Sequence, residues 1–147
     1  MKRELTGNIV LDTTPLLELI YSTIGGIKLK EALKAERLQA NITEVTLTEL
    51  RYILCRKLGL NETRKRIKTL LESGYLSVHE TSKLIEAAAE YKYKRALSLA
   101  DCFAISLAKA IDAPILFSKK EDDLVKEMSR ETFDVKIFFL EEPAQNE

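Results

Sequence analysis

A chain of 147 residues has the length of one ordinary domain, and a composition 46% apolar and 31% charged belongs to a folded globule, not a disordered segment. Lysine plus arginine number 23 and aspartate plus glutamate also 23, which excludes a protein that coats nucleic acid with its whole surface. Contact with nucleic acid would need a local basic patch or metal ions held by acidic residues.

No run approaches the ~20 apolar residues of a membrane span, and no leader pattern follows Met1-Lys2-Arg3. The two cysteines, Cys55 and Cys102, sit in apolar helical patterns and read as buried thiols. The expectation is a cytoplasmic protein without membrane contact.

In chain order, Asn8-Ile9-Val10-Leu11 is a short β-branched run without alternation, as in a central strand buried on both faces, and it ends at Asp12. Thr13-Thr14-Pro15 opens a helix, with Thr14 as the cap and Pro15 as the first helical residue. Leu16, Leu17, Leu19 and Ile20 form its buried face, and Gly25-Gly26 is expected to end it. A short helix over 29–37 and a strand over 38–42 follow. Residues 46–58 form an amphipathic helix, with Leu47, Leu50, Ile53, Leu54 and Leu58 on one face and Gly59 as its stop. Asn61 is read as the cap of the next helix, which stops at Gly74.

The remaining pattern predicts a strand at 76–78, helices over 81–94 and 98–111, a strand over 113–117, a helix over 121–130 and a last strand over 135–140. Strands alternating with helices in this order predict an α/β fold of three layers, α/β/α, around a central parallel sheet of about five strands. Residues 1–140 read as one domain, and 141–147 as a polar tail.

Three acids stand where chemistry is expected. In open parallel sheets, ligands bind beyond the carboxyl ends of the strands, where strand order reverses. Asp12 ends the first strand, Glu49 lies at the start of a helix that follows a strand, and Asp101 opens another helix one turn after Ser98. Each also has a structural explanation. Thr46-Leu47-Thr48-Glu49 has capping-box spacing, Ser98-Leu99-Ala100-Asp101 resembles one, and Asp12 can orient a turn. As a group they point elsewhere: clustered carboxylates raise one another's pKa unless a cation lies between them. Mg²⁺ or Mn²⁺ would supply that charge to an all-oxygen site, which suits phosphodiester hydrolysis.

Three segments carry a resemblance to a known family. Ile9-Val10-Leu11-Asp12-Thr13-Thr14-Pro15-Leu16-Leu17 resembles the opening strand of PIN domains, where the first catalytic Asp precedes Ser or Thr. Asn41-Ile42-Thr43-Glu44-Val45-Thr46-Leu47-Thr48-Glu49-Leu50 is similar to the second motif, which carries the Glu. Leu97-Ser98-Leu99-Ala100-Asp101-Cys102-Phe103-Ala104 is similar to the third, which carries the next Asp. The order and spacing match over nearly the whole chain, and the length is similar to VapC-type toxins, the ribonuclease halves of toxin–antitoxin pairs.

The resemblance implies a Mg²⁺- or Mn²⁺-dependent endoribonuclease leaving 5′-phosphate and 3′-hydroxyl ends. Asp12, Glu49 and Asp101 would hold the ions, with Thr13 and Ser118 supporting them. It also implies a small antitoxin partner that buries the acidic crevice, and a homodimer. One departure is plain: where the family's fourth motif has an acid two residues after Ser, Leu116-Phe117-Ser118-Lys119-Lys120 puts Lys120. Glu121, Asp122 and Asp123 read as ordinary first-turn acids, with Glu121 the best substitute ligand.

Arg64-Lys65-Arg66 with Lys68 is the dense basic run; Arg51 is one turn into the Glu49 helix, and Lys92, Lys94 and Arg95 stand just before the Asp101 helix, where they could steer a phosphate backbone toward the metals. Of these, Arg51, Arg64, Lys65, Arg66 and Lys92 are candidates for RNA contact against the plainer reading of a solvated surface. His79 reads as a loop residue, and the tyrosines as packing groups. Zinc is disfavoured by the lack of a Cys/His quartet, and a P-loop mechanism by the lack of its glycine-rich motif. The competing function is a catalytically weak or inactive PIN-like module that binds RNA or a partner protein, which Lys120 favours. A third, an aspartate phosphotransferase similar to haloacid dehalogenases, needs an acid where Thr14 stands.

Overall fold

The run Ile9-Val10-Leu11 is wholly buried and forms the middle of a five-stranded parallel sheet. This computed structural model describes residues 5–140, and the tail expected at 141–147 lies outside them. Strand β1 (Gly7–Leu11) pairs with β2 (Leu38–Thr43) on one side and β4 (Ile115–Phe117) on the other. The edges are β3 (Leu76–His79), beside β2, and β5 (Ile137–Phe139), beside β4, giving the order β3-β2-β1-β4-β5.

Strand residues alternate between faces, and the core splits accordingly. Ile9, Leu11 and Leu116 join one cluster with Leu16, Leu29, Leu50, Leu54 and Ile67. Val10, Ile115 and Phe117 join the other with Cys102, Ile105, Leu107 and Leu124. The first cluster holds helices α1 (Thr13–Tyr21), α2 (Ile24–Lys34), α3 (Glu44–Leu58) and α4 (Leu60–Glu72). The second holds α5 (Ile85–Lys94), α6 (Leu99–Ala110) and α7 (Asp122–Arg130). The expected three-layer α/β/α architecture is therefore the observed one. No helix among the described residues is long and apolar enough to cross a membrane.

Several boundaries differ from expectation for local reasons. The N-cap position of helix α1 is Asp12, not Thr14, and Pro15 is its third residue. It ends at Ser22, whose φ of 54° is left-handed, before Gly25-Gly26 is reached. Those glycines lie in the first turn of α2, where Thr23 accepts the Gly26 amide at 3.0 Å. A Cβ on Gly26 would stand 1.9 Å from the Glu18 carbonyl oxygen, so glycine here permits close helix contact.

Helix α3 starts earlier than expected because Thr43 accepts the Thr46 amide at 2.9 Å. Gly59, at φ 82°, both ends α3 and precedes α4, so Asn61 is not the cap. The helix expected over 81–94 begins as a 3₁₀ turn, Ser82–Leu84. His79 is the last residue of β3, not a loop residue, and Nε2 lies 2.8 Å from Asn41 Oδ1. Cys102 is buried, which pushes its thiol up to about 11, whereas Cys55 is only half-buried.

Candidate active site

The chain runs outward from β1 through β2 to β3, then returns to β4 on the opposite side of β1. Strand order therefore reverses between β1 and β4, and a crevice opens beyond their carboxyl ends. Asp12 follows β1 there, held by its amide on the Leu116 carbonyl at 3.0 Å. Although Asp12 occupies the N-cap position of α1, its side chain makes no capping hydrogen bond. The residue is 6% exposed, and the charges of Asp101 and Glu49 act on its carboxyl.

Asp101 is the third residue of α6, and Ser98 Oγ accepts its amide at 3.1 Å. Here the capping pattern is formed, and the carboxylate is still directed at Asp12. Glu49 is different. The cap of α3 is Thr43, so Glu49 lies in the second turn of the helix, beyond capping distance. Its Oε1 accepts the Thr13 hydroxyl instead. Glu121 is the N-cap residue of α7, makes no capping bond, is exposed, and lies close enough for its charge to act on Asp101. Asp122 and Asp123 are the first-turn acids of α7.

The electrostatics follow from this crowding. Burial, then the charge of Asp101, then that of Glu49 drive the Asp12 carboxyl up to about 8, against a partial opposing pull from the Thr13 amide and the Thr14 hydroxyl. Asp101 is also raised, first by burial and then by Glu121 and Glu49, while hydrogen bonds from Asp12 and Ser98 oppose the rise. Without a cation, Asp12 thus keeps a proton at neutral pH and shares it with Asp101. No lysine or arginine among the described residues forms an ion pair with Asp12, Glu49, Asp101 or Glu121. Lys120, which stands where an acid was expected, lies with Nζ 5.8 Å from the centre of the Phe139 ring.

The donor set suits a hard cation: all four charged groups are carboxylates. Ser118 adds a further oxygen. It is buried immediately after β4, and its Oγ has no hydrogen-bond partner. Among the described residues, no three acidic, histidine or cysteine side chains are closed into a metal cage.

The basic candidates are dispersed. Arg51 is exposed on α3, two residues beyond Glu49. Lys65 and Arg66 line a groove of about 340 Å³ with Leu19, Ile20, Lys30 and Tyr75, and none of the four acids lines it. Arg64 is exposed on the same helix, and Arg66 is paired with Glu62 at 3.1 Å. Lys92 donates to the Leu97 carbonyl at 2.6 Å and braces the loop before α6.

Arg95 and three tyrosines depart from expectation. Arg95 does not face a phosphate path: it is 7% exposed and donates to the carbonyls of Glu127, Glu131 and Thr132. Tyr21 and Tyr52 are exposed and lie under Lys57 and Arg56 rather than in the core, and Tyr93 is more exposed still. A participant missed in the sequence is Thr14, whose hydroxyl bonds Asp12 and the Ser118 amide. Its signal, a hydroxyl two residues after the acid, was absorbed by reading it as a helix cap.

Comparison with known proteins agrees with this fold. The model of the PIN domain family matches residues 9–129. No curated protein sequence matches the chain significantly. Among solved structures, VapBC2 from Rickettsia felis, bound to a DNA fragment from its promoter, aligns with TM-score 0.67 at 16% identity, covering 88% of this chain and 96% of that one. DNA-bound VapBC from Salmonella typhimurium aligns with TM-score 0.67 at 14% identity, covering 90% and 98%. VapC20 from Mycobacterium tuberculosis, described as a toxin that cleaves the sarcin–ricin loop, aligns with TM-score 0.62 at 17% identity, covering 80% and 93%. At such identities these likenesses establish the fold alone.

Proposed function

The chain belongs to the PIN domain family, and on that footing we propose that it is a metal-dependent endoribonuclease, the toxin of a toxin–antitoxin pair. What supports this reading is that the charges of Asp101 and Glu49 act on the buried Asp12 at the strand-order reversal, with no described lysine or arginine in an ion pair with any of them. Such a cluster is costly unless a ligand completes it. Mg²⁺ or Mn²⁺ would supply the missing charge, activating water and stabilising the leaving oxygen of a phosphodiester.

The roles follow from position. Asp12, buried between Asp101 and Glu49, is the central ligand. Asp101 and Glu49 complete the set from α6 and α3, and Thr13 orients Glu49 through its hydroxyl. Ser118 Oγ offers a supporting oxygen, and Glu121 is the fourth carboxylate in place of the acid that Lys120 replaces. Arg51, on the helix that carries Glu49, is the cation assigned to the RNA backbone. Cleavage would leave 5′-phosphate and 3′-hydroxyl ends.

Like the VapBC assemblies named above, the protein would meet a small antitoxin. Its uncompensated acids favour a partner that offers an arginine or lysine. A homodimer through exposed apolar side chains such as Ile24, Ile27 and Ile85 belongs to the same proposal, as do a cytoplasmic setting and a single domain over 1–140.

Purified protein should cleave single-stranded RNA in Mg²⁺ or Mn²⁺, and Asp12→Asn should reduce the rate at least ~100-fold, the equivalent of about 2.7 kcal/mol of lost charge stabilisation. Unchanged cleavage by that variant would remove Asp12 from the site. The alternative, a PIN-like module that binds RNA or a partner without cleaving, is favoured by Lys120 alone. A Mn²⁺ titration separates the two, because the module would show no binding at millimolar metal.

A further inference from the structure

Two of the segments that carry the site meet through one hydroxyl. Thr14, the second residue of α1, donates to Asp12 Oδ2 at 3.2 Å and accepts the backbone amide of Ser118 at 3.2 Å. A threonine hydroxyl has one proton and two lone pairs, so both bonds form together without conflict. Ser118 is the first residue past β4, its own Oγ is buried without a partner, and Glu121 follows three residues later. Pairing between β1 and β4 covers only Val10 with Ile115 and Leu11 with Leu116. Beyond it, the Asp12 amide reaches the Leu116 carbonyl, and the Thr14 bridge then carries the connection to the carboxylate itself.

We infer that Thr14 is a positioning residue for the metal site. Its hydroxyl fixes the orientation of the Asp12 carboxyl and holds the Ser118 backbone beside it. The segment leading to Glu121 is thereby set at a defined place relative to Asp12 and Asp101. Thr14 touches neither substrate nor ion in this role. It acts through Asp12 on one side and through the 118–121 segment on the other. The inference rests on the metal-dependent reading above.

The test is Mn²⁺ titration calorimetry on the purified full chain, with thermal melts to verify folding. Removing a group that orients a metal ligand typically weakens binding about 10- to 100-fold, and Thr14→Val should fall at the lower end of that range. Thr14→Ser, which keeps the hydroxyl, should restore affinity close to that of the unsubstituted chain. If Thr14→Val does not fold, Thr14→Ala removes the same two bonds with a smaller side chain.

A double-mutant cycle probes the link to Glu121: Glu121→Gln should cost less affinity in the Thr14→Val background than alone, because the 118–121 segment is already released. A merely structural threonine would lower the melting temperature and leave that cycle additive. Additivity, or Mn²⁺ affinity unchanged by Thr14→Val and Thr14→Ala, overturns the assignment of Thr14 while the metal site stands. Absence of Mn²⁺ binding by the unsubstituted chain overturns both.

Discussion

Two groups of buried charge lie six residues apart along the chain and are built on opposite rules. Around Arg95, every charge has a partner. The guanidinium donates to three carbonyls at the end of α7, stacks 3.7 Å from the centre of the Phe133 ring, and faces Glu127 at 3.7 Å. Arg130 closes the group by donating to Glu127 at 2.8 Å and to the Lys94 carbonyl at 2.7 Å. Around Asp101, the buried charges are all of one sign, and Asp12 must keep a proton to be tolerated. The chain completes the first cluster by itself, and the second is the one proposed to take a metal ion. Burial alone does not separate the two, since Arg95 and Asp12 are both buried.

The two clusters should break differently. Arg95→Ala removes the three hydrogen bonds to carbonyls at the end of α7 and the Phe133 contact, leaving Glu127 with Arg130 alone, which should destabilise the fold by about 2–3 kcal/mol in denaturant titration. A loss below about 1 kcal/mol would show that the network is ornamental to stability.

Next in size is a pH effect of opposite sign in the two clusters. The folded Asp12 carboxyl titrates near 8 against 3.8 for the free group, so the folded state holds the extra proton between those values. The metal-free protein should therefore lose stability as pH rises through that window. Mn²⁺ must displace the same proton, so its apparent affinity should rise with pH by up to about tenfold per unit. Glu127 is held below 4.5, chiefly by Arg130, so its contribution is present at higher pH and lost on acidification. Melts and Mn²⁺ titrations across pH 5 to 9 test the pair. Asp12→Asn should flatten the falling limb, and a slope that survives this substitution would assign the proton elsewhere.

The smallest effect belongs to the basic run on α4. Arg66 is paired with Glu62 on an exposed surface, so Arg66→Ala should change stability by no more than about 0.5 kcal/mol. RNA cleavage should stay near its original rate, because the groove that Arg66 lines includes none of the four acids. A marked rise in KM with unchanged kcat would instead place RNA across α4.

How far the sequence reached depends on the range of each interaction. The run Ile9-Val10-Leu11 announced a central strand, and Ser98 three residues before Asp101 announced a helix start, because both signals lie within a few residues. Gly25-Gly26 misled for the same reason. A glycine pair looks like a helix stop locally, yet Gly26 is required by the carbonyl of Glu18 in the neighbouring helix. Glu49 looked like half of a capping box with Thr46, but the cap is Thr43, three residues before Thr46, and Glu49 turns to Thr13. Arg95 looked like one more surface cation beside Lys92 and Lys94.

By itself, the sequence determined the α/β class, the parallel order of alternating strands and helices, and the placement of Asp12 and Asp101 at element ends. Those follow from hydrophobic period, capping chemistry and motif spacing, all written in short stretches of chain. Only the tertiary structure decided that Thr14 joins Asp12 to the Ser118 amide, that Lys120 turns to Phe139, and that Arg95 is neutralised while Asp12 is not. Each of those depends on groups brought together from distant segments, and whether a buried charge finds a partner is settled by packing, which no local pattern encodes.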